Sequence, residues 1–87
     1  MMKPKLFDVV ELLIDLPKYN LQAGVQGAIV EEYSDRYYEI EFTNKDGETL
    51  ELVTLPIDQF VVVWRANTKT WVPVAEKEDK IRVNLLH

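Results

Sequence analysis

Along the run Tyr37-Tyr38-Glu39-Ile40-Glu41-Phe42, Tyr38, Ile40 and Phe42 alternate strictly with Tyr37, Glu39 and Glu41. In an extended chain successive side chains point to opposite faces, so this period of two predicts a half-buried strand. Ser34-Asp35-Arg36 connects it to an earlier apolar stretch, Ala28–Tyr33, as a hairpin. Asn44-Lys45-Asp46-Gly47 makes a second turn, in which Gly47 suits the left-handed position of a bulged hairpin. Glu48–Val53 then returns as the next strand.

Either side of this centre the pattern is less regular. Leu6-Phe7-Asp8-Val9-Val10-Glu11-Leu12-Leu13-Ile14 has the aliphatic content of a first strand, but its mixed periodicity also admits a short buried helix. Pro17 ends it, and Leu16–Gly24 reads as a long loop. Gly24 and Gly27 precede Ala28-Ile29-Val30, a spacing that predicts a positive-φ turn and a close backbone approach. Pro56-Ile57-Asp58-Gln59 reads as a tight or 3₁₀ turn. Phe60-Val61-Val62-Val63-Trp64 is continuously apolar, so it is expected to be buried on both faces or covered by the carboxyl-terminal tail. Arg65–Thr70 is a polar link. After Pro73, Ala75-Glu76-Lys77-Glu78-Asp79 has the chemistry of a helix start, whereas Lys80-Ile81-Arg82-Val83-Asn84-Leu85 alternates like a strand.

These segments predict a mainly β fold: a small five-stranded barrel over residues 1–72, with residues 73–87 docking on it as a helix or an extended tail. The length of 87 residues fits one domain. Clusters such as Val61-Val62-Val63-Trp64 and Leu12-Leu13-Ile14 argue against disorder.

Several of the same residues also resemble a known family. Phe7-Asp8-Val9-Val10-Glu11-Leu12-Leu13 is followed in order by Leu16-Pro17, Gly24-Val25-Gln26-Gly27 and Val30. Tyr38-Glu39-Ile40-Glu41-Phe42, Asp46-Gly47 and Leu52-Val53-Thr54-Leu55-Pro56 continue the match, so that it covers roughly residues 6–64. The set resembles a family of small bacterial proteins, common in cyanobacteria, that is known only as a domain of unknown function. The resemblance implies a compact SH3-like barrel. It implies no activity and no catalytic residue.

Composition narrows the chemistry. The chain has no cysteine, which excludes disulfides, thiolate metal sites and a cysteine nucleophile. Ten basic residues against fifteen acidic ones give a net charge of −5, which opposes phosphate binding. The bases are scattered along the sequence, at Lys18, Arg36, Lys45, Arg65, Lys69, Lys77, Lys80 and Arg82 among others. No apolar run approaches the length of a signal core or a membrane span, so a soluble, cytoplasmic protein without membrane contact is expected.

Catalytic constellations are equally scarce. The only serine is Ser34 in a turn and the only histidine is the terminal His87, an arrangement unsuited to a nucleophile–base pair. Glu39 and Glu41 share a sheet face at a spacing of roughly 7 Å, but an outward pair on a thin sheet is ordinarily solvated. Asp46-Gly47-Glu48 lacks the alternating ligands of a calcium loop, and Glu31-Glu32 points to opposite faces of a strand. Gly24 and Gly27 are not followed by the residues of a phosphate cradle. No enzyme activity, metal or cofactor is expected.

The aromatic residues point elsewhere. Tyr38 and Trp64 are read as core, while Tyr37 beside Glu39 and Glu41 would suit a surface that receives a basic partner. The expectation is a non-catalytic protein-interaction module, regulatory or antitoxin-like. Tyr37, Glu39 and Glu41 are its partner-binding residues, and a basic protein is the partner. A monomer or weak homodimer is expected. The alternative is a small nucleic-acid-binding barrel, which the charge balance opposes.

Overall fold

A computed structural model describes residues 3–73. Its strands are β1 (Val9–Leu12), β2 (Gln26–Glu32), β3 (Tyr37–Thr43), β4 (Thr49–Pro56), β5 (Phe60–Arg65) and β6 (Thr70–Trp71). They form one antiparallel sheet in the order β4-β3-β2-β1-β5-β6. No α-helix occurs among the described residues, so the helical alternative for the first segment gives way to a strand. Instead of five strands closed on themselves, there are six, and among the described residues no pairing joins the two edges, β4 and β6. The extra strand arises where the segment read as a polar link ends, at Thr70 and the following Trp71. Trp71 and Thr70 take up the free edge of β5 opposite Trp64 and Arg65, and Val72 N–H continues the ladder to Val63 C=O at 2.9 Å. The expected helix or tail after Pro73 lies outside the described residues.

The β3 alternation is realised. Tyr38, Ile40 and Phe42 are each no more than 1% exposed, whereas Tyr37 is half exposed. They meet Val10 and Leu12 of β1, Ile29 of β2, Val53 and Leu55 of β4 and Phe60 and Val62 of β5 in one core. The Tyr38 and Phe60 rings pack edge to face at 5.7 Å, and the Tyr38 hydroxyl donates to Asp35 C=O at 3.2 Å. A large ring is thus buried without stranding its polar end. In β5, Val61 and Val63 are buried as well as Phe60 and Val62, so both faces of this strand are covered.

Two glycines matter for the placement of β3. At Gly27 an added Cβ would lie 2.8 Å from Glu41 C=O and 2.8 Å from Ile40 Cγ2, so glycine alone lets β2 and β3 approach here. Gly47 closes the β3–β4 hairpin at φ 81°, its N–H donating to Asn44 C=O at 3.1 Å. The Asn44 side chain supports the same turn by accepting from Asp46 N–H and Glu48 N–H. A Cβ at Gly47 would touch nothing within 4 Å, so the cost of a side chain there is backbone strain alone. Gly47→Val is therefore expected to destabilise the protein by on the order of 1–2 kcal/mol in urea unfolding. An unchanged midpoint would contradict this assignment.

The Leu16-Pro17 and Leu55-Pro56 steps share a local outcome. Each introduces a 3₁₀ turn, Pro17–Tyr19 and Ile57–Gln59, ahead of a buried apolar residue, Leu21 or Phe60.

One buried polar cluster ties the amino-terminal arm to β5. Asp8 is 1% exposed, and its carboxylate accepts from Lys5 N–H (3.0 Å), Ala66 N–H (2.9 Å) and Arg65 Nη1 (3.2 Å). Beside it Phe7 holds a left-handed backbone, φ 70°, with its N–H bonded to Ile29 C=O at 2.8 Å. That turn aims the Phe7 ring at solvent and the Asp8 carboxylate inward.

Candidate functional site

The sequence-predicted residues Tyr37, Glu39 and Glu41 lie together on the outward face of β3, as the period of two requires. Their cross-strand neighbours complete the surface. Glu41 lies between Ala28 of β2 and Leu52 of β4, and Glu39 lies between Glu31 of β2 and Thr54 of β4. Two carboxylates, Glu31 and Glu39, are thus directly opposite each other in the ladder. Like charges so placed oppose sheet formation. A bulge between Ile29 and Glu31 brings about this register, since without it Val30 would face Glu39.

Two hydroxyls bind these carboxylates. The Tyr33 hydroxyl donates to Glu39 Oε1 at 3.0 Å, and Thr49 Oγ1 donates to Glu41 Oε2 at 2.5 Å. Tyr33 consequently titrates above the ordinary tyrosine value of 10. The main cause is its hydrogen bond to Glu39, followed by desolvation and the negative charges of Glu39 and Glu31. Nothing in the sequence alone joins Tyr33 to Glu39. The hairpin turn, in which Ser34 Oγ accepts from Arg36 N–H and Tyr37 N–H, folds it back over β3.

The face also has an apolar side. Leu50 and Leu52 on β4 are about half exposed, at 52% and 51%, as are Tyr37 at 50% and Tyr33 at 56%. Their exposure was not legible from the sequence, in which Leu50-Glu51-Leu52-Val53 gives no sign of which leucines face the core. No basic residue occurs in β2, β3 or β4, whereas Glu31, Glu32, Glu39, Glu41 and Glu51 all do. Arg36 and Lys45 fall in the turns between these strands, and Arg65 is engaged by Asp8. Among the described residues, the bases therefore lie outside these three strands.

A second concave region lies beside the amino-terminal arm. A shallow depression of about 500 Å³ lies between the Leu6–Phe7 turn and Ala66. Its carboxylates are already committed, Asp8 to Arg65 and two backbone N–H groups, and Glu32 to Leu6 N–H at 3.2 Å. Ser34 is occupied as the acceptor of its own turn. Among the described residues no group of three or more histidine, cysteine or acidic side chains is placed to hold a metal ion. Nor, among them, is any helix long and apolar enough to cross a membrane.

A family model described as "Domain of unknown function (DUF4926)" matches residues 6–62. No curated protein and no solved structure matches the chain.

Proposed function

Starting from a chain that belongs to the DUF4926 family, a domain of unknown function, we propose a non-catalytic protein-interaction module whose β3 face binds a basic protein surface. The observation that carries this reading is Glu31 placed opposite Glu39 with no base on β2, β3 or β4. Folding gains nothing from that pair, which opposes the sheet by roughly 0.2–1 kcal/mol. A cationic partner turns the penalty into attraction. Tyr33 and Tyr37 add broad contact area with little rotamer entropy to lose, and Leu50 and Leu52 add apolar surface. The four meandering strands, the 3₁₀ turn and the return of β5 beside β1 also support an SH3-like reading of the fold. The acidic strands disfavour nucleic acid as the partner.

The test is a titration with an end-capped peptide of alternating lysine and valine, run beside its glutamate–valine counterpart across a salt series. The cationic peptide is expected to bind, more weakly as salt rises, because screening acts over roughly 8 Å at physiological ionic strength. Glu39→Gln with Glu41→Gln should slow association, and Tyr37→Ala should mainly speed dissociation. Binding that ignores the charge of the peptide, or is indifferent to all three substitutions, would overturn the proposal.

A further inference from the structure

We infer that the partner segment is an extended cationic strand that adds to the free edge of β4. This rests on the acidic face being the binding surface and specifies how the partner is held. β4 is the terminal strand of the sheet, with β3 on one side. Ile57 N–H donates to Arg36 C=O at 2.8 Å, which fixes the phase of the ladder between these strands. In an antiparallel pair, residues alternate in directing their backbone groups toward and away from the neighbouring strand. Leu55, Val53 and Glu51 therefore bond to β3, while the N–H and C=O groups of Leu52 and Thr54 point away from it. Among the described residues nothing pairs with that outer edge.

Sheet edges are ordinarily blunted by lysine, proline, bulges or inward charges. On β4 they lie toward the ends, and Glu51, which shares the face of Val53 and Leu55, is the one charge turned inward. A register shift lies next to Thr49, and Pro56 terminates the strand. Between them Glu51–Leu55 is regular, carries no lysine and presents Leu52 half exposed. An added strand would supply backbone partners to Leu52 and Thr54, the mode of recognition known as β-augmentation.

Charge selects the occupant. Strands lie about 4.8 Å apart, so a lysine beside Leu52 or Thr54 on the added strand can reach across β4 toward Glu41 and Glu39. Its aliphatic stem would lie over Leu52. A second copy of this chain is disfavoured as occupant. Pairing β4 with β4 would supply no base on either strand to meet the Glu39–Glu41 face.

The decisive probe is the lysine–valine peptide compared with a backbone N-methylated version of equal charge, which cannot donate along one edge. Wild-type protein should bind the unmethylated peptide about tenfold more tightly, the worth of one or two hydrogen bonds. Thr54→Pro removes an outward N–H, a different bond from those the methylated peptide loses, without breaking a bond to β3, and should weaken binding of the unmethylated peptide several-fold. The methylated peptide, compared on the same folded wild-type protein, keeps the test decisive should Thr54→Pro impair folding. Salt-dependent binding that is equal for both peptides overturns strand addition and leaves the acidic face as the site. No salt-dependent binding of either peptide overturns the face itself. Self-association lost in Thr54→Pro makes a second copy the occupant. Leu52 and Thr54 amides protected from exchange at low concentration without peptide place the chain's own residues on the edge. Either of these last outcomes also overturns the inference.

Discussion

Asp8→Ala is expected to lower the free energy of unfolding by about 3–5 kcal/mol. The substitution removes the acceptor of three donors at once: the Lys5 and Ala66 N–H groups and the Arg65 guanidinium, whose side chain is only 12% exposed and which keeps its bond to Lys3 C=O. Breaking one member of a buried pair leaves the other charge desolvated, which is why the loss exceeds that of a surface bridge. Small domains have only about 5–15 kcal/mol of net stability, so the variant should be marginal at room temperature. The same carboxylate ties residues 3–8 to the end of β5, and amide exchange in the amino-terminal arm should rise with the loss. Urea unfolding gives the result directly. A change below about 1 kcal/mol would show that the cluster does not hold the arm.

Ile40→Ala is expected to cost roughly 2–5 kcal/mol, and Glu41→Ala to stay within about 0.5 kcal/mol. The two positions are adjacent in sequence and differ only in the face they occupy. Ile40 is fully buried between Ile29 and Val53, its partners in the register, so truncation leaves a cavity in a core one layer thick. Glu41 is partly exposed and loses one bond, to Thr49. Equal losses in urea unfolding would mean that the assignment of faces is wrong.

These two predictions differ in how visible their causes are in the sequence. The alternation through Ile40 and Glu41 is a local property of one strand, legible because period two leaves a binary imprint on side-chain polarity. Gly47 and the 3₁₀ turn at Ile57–Gln59 are legible for a similar reason, since turn chemistry is local. The Asp8–Arg65 pair is not local: its members are far apart in the chain, and the only trace is an acid inside the apolar run Leu6-Phe7-Asp8-Val9-Val10. The register shifts beside Val9, Ile29 and Phe42 were likewise hidden, because a bulge depends on how two strands meet. The sixth strand escaped because Thr70-Trp71 is too short to show a period.

The candidate site divides in the same way. Tyr37, Glu39 and Glu41 are on one face by alternation alone, and the structure keeps them there. What the sequence could not supply is their surroundings. The opposition of Glu31 to Glu39 depends on the bulge in β2, and the bond from Tyr33 depends on the Ser34 turn. That β4 ends the sheet among the described residues is a matter of strand order, which no single segment encodes.

The central claim is that the acidic face is arranged for association at the expense of the sheet, and Glu39→Gln tests both halves in one protein. The amide still accepts from the Tyr33 hydroxyl, while the repulsion with Glu31 is removed. Urea unfolding together with the lysine–valine peptide titration at low salt is the direct measurement. The account predicts a free energy of unfolding raised by a few tenths of a kcal/mol, with weaker binding of the peptide. A lowered midpoint with undiminished binding would contradict it, because Glu39 would then be a structural residue and the face a solvated sheet surface.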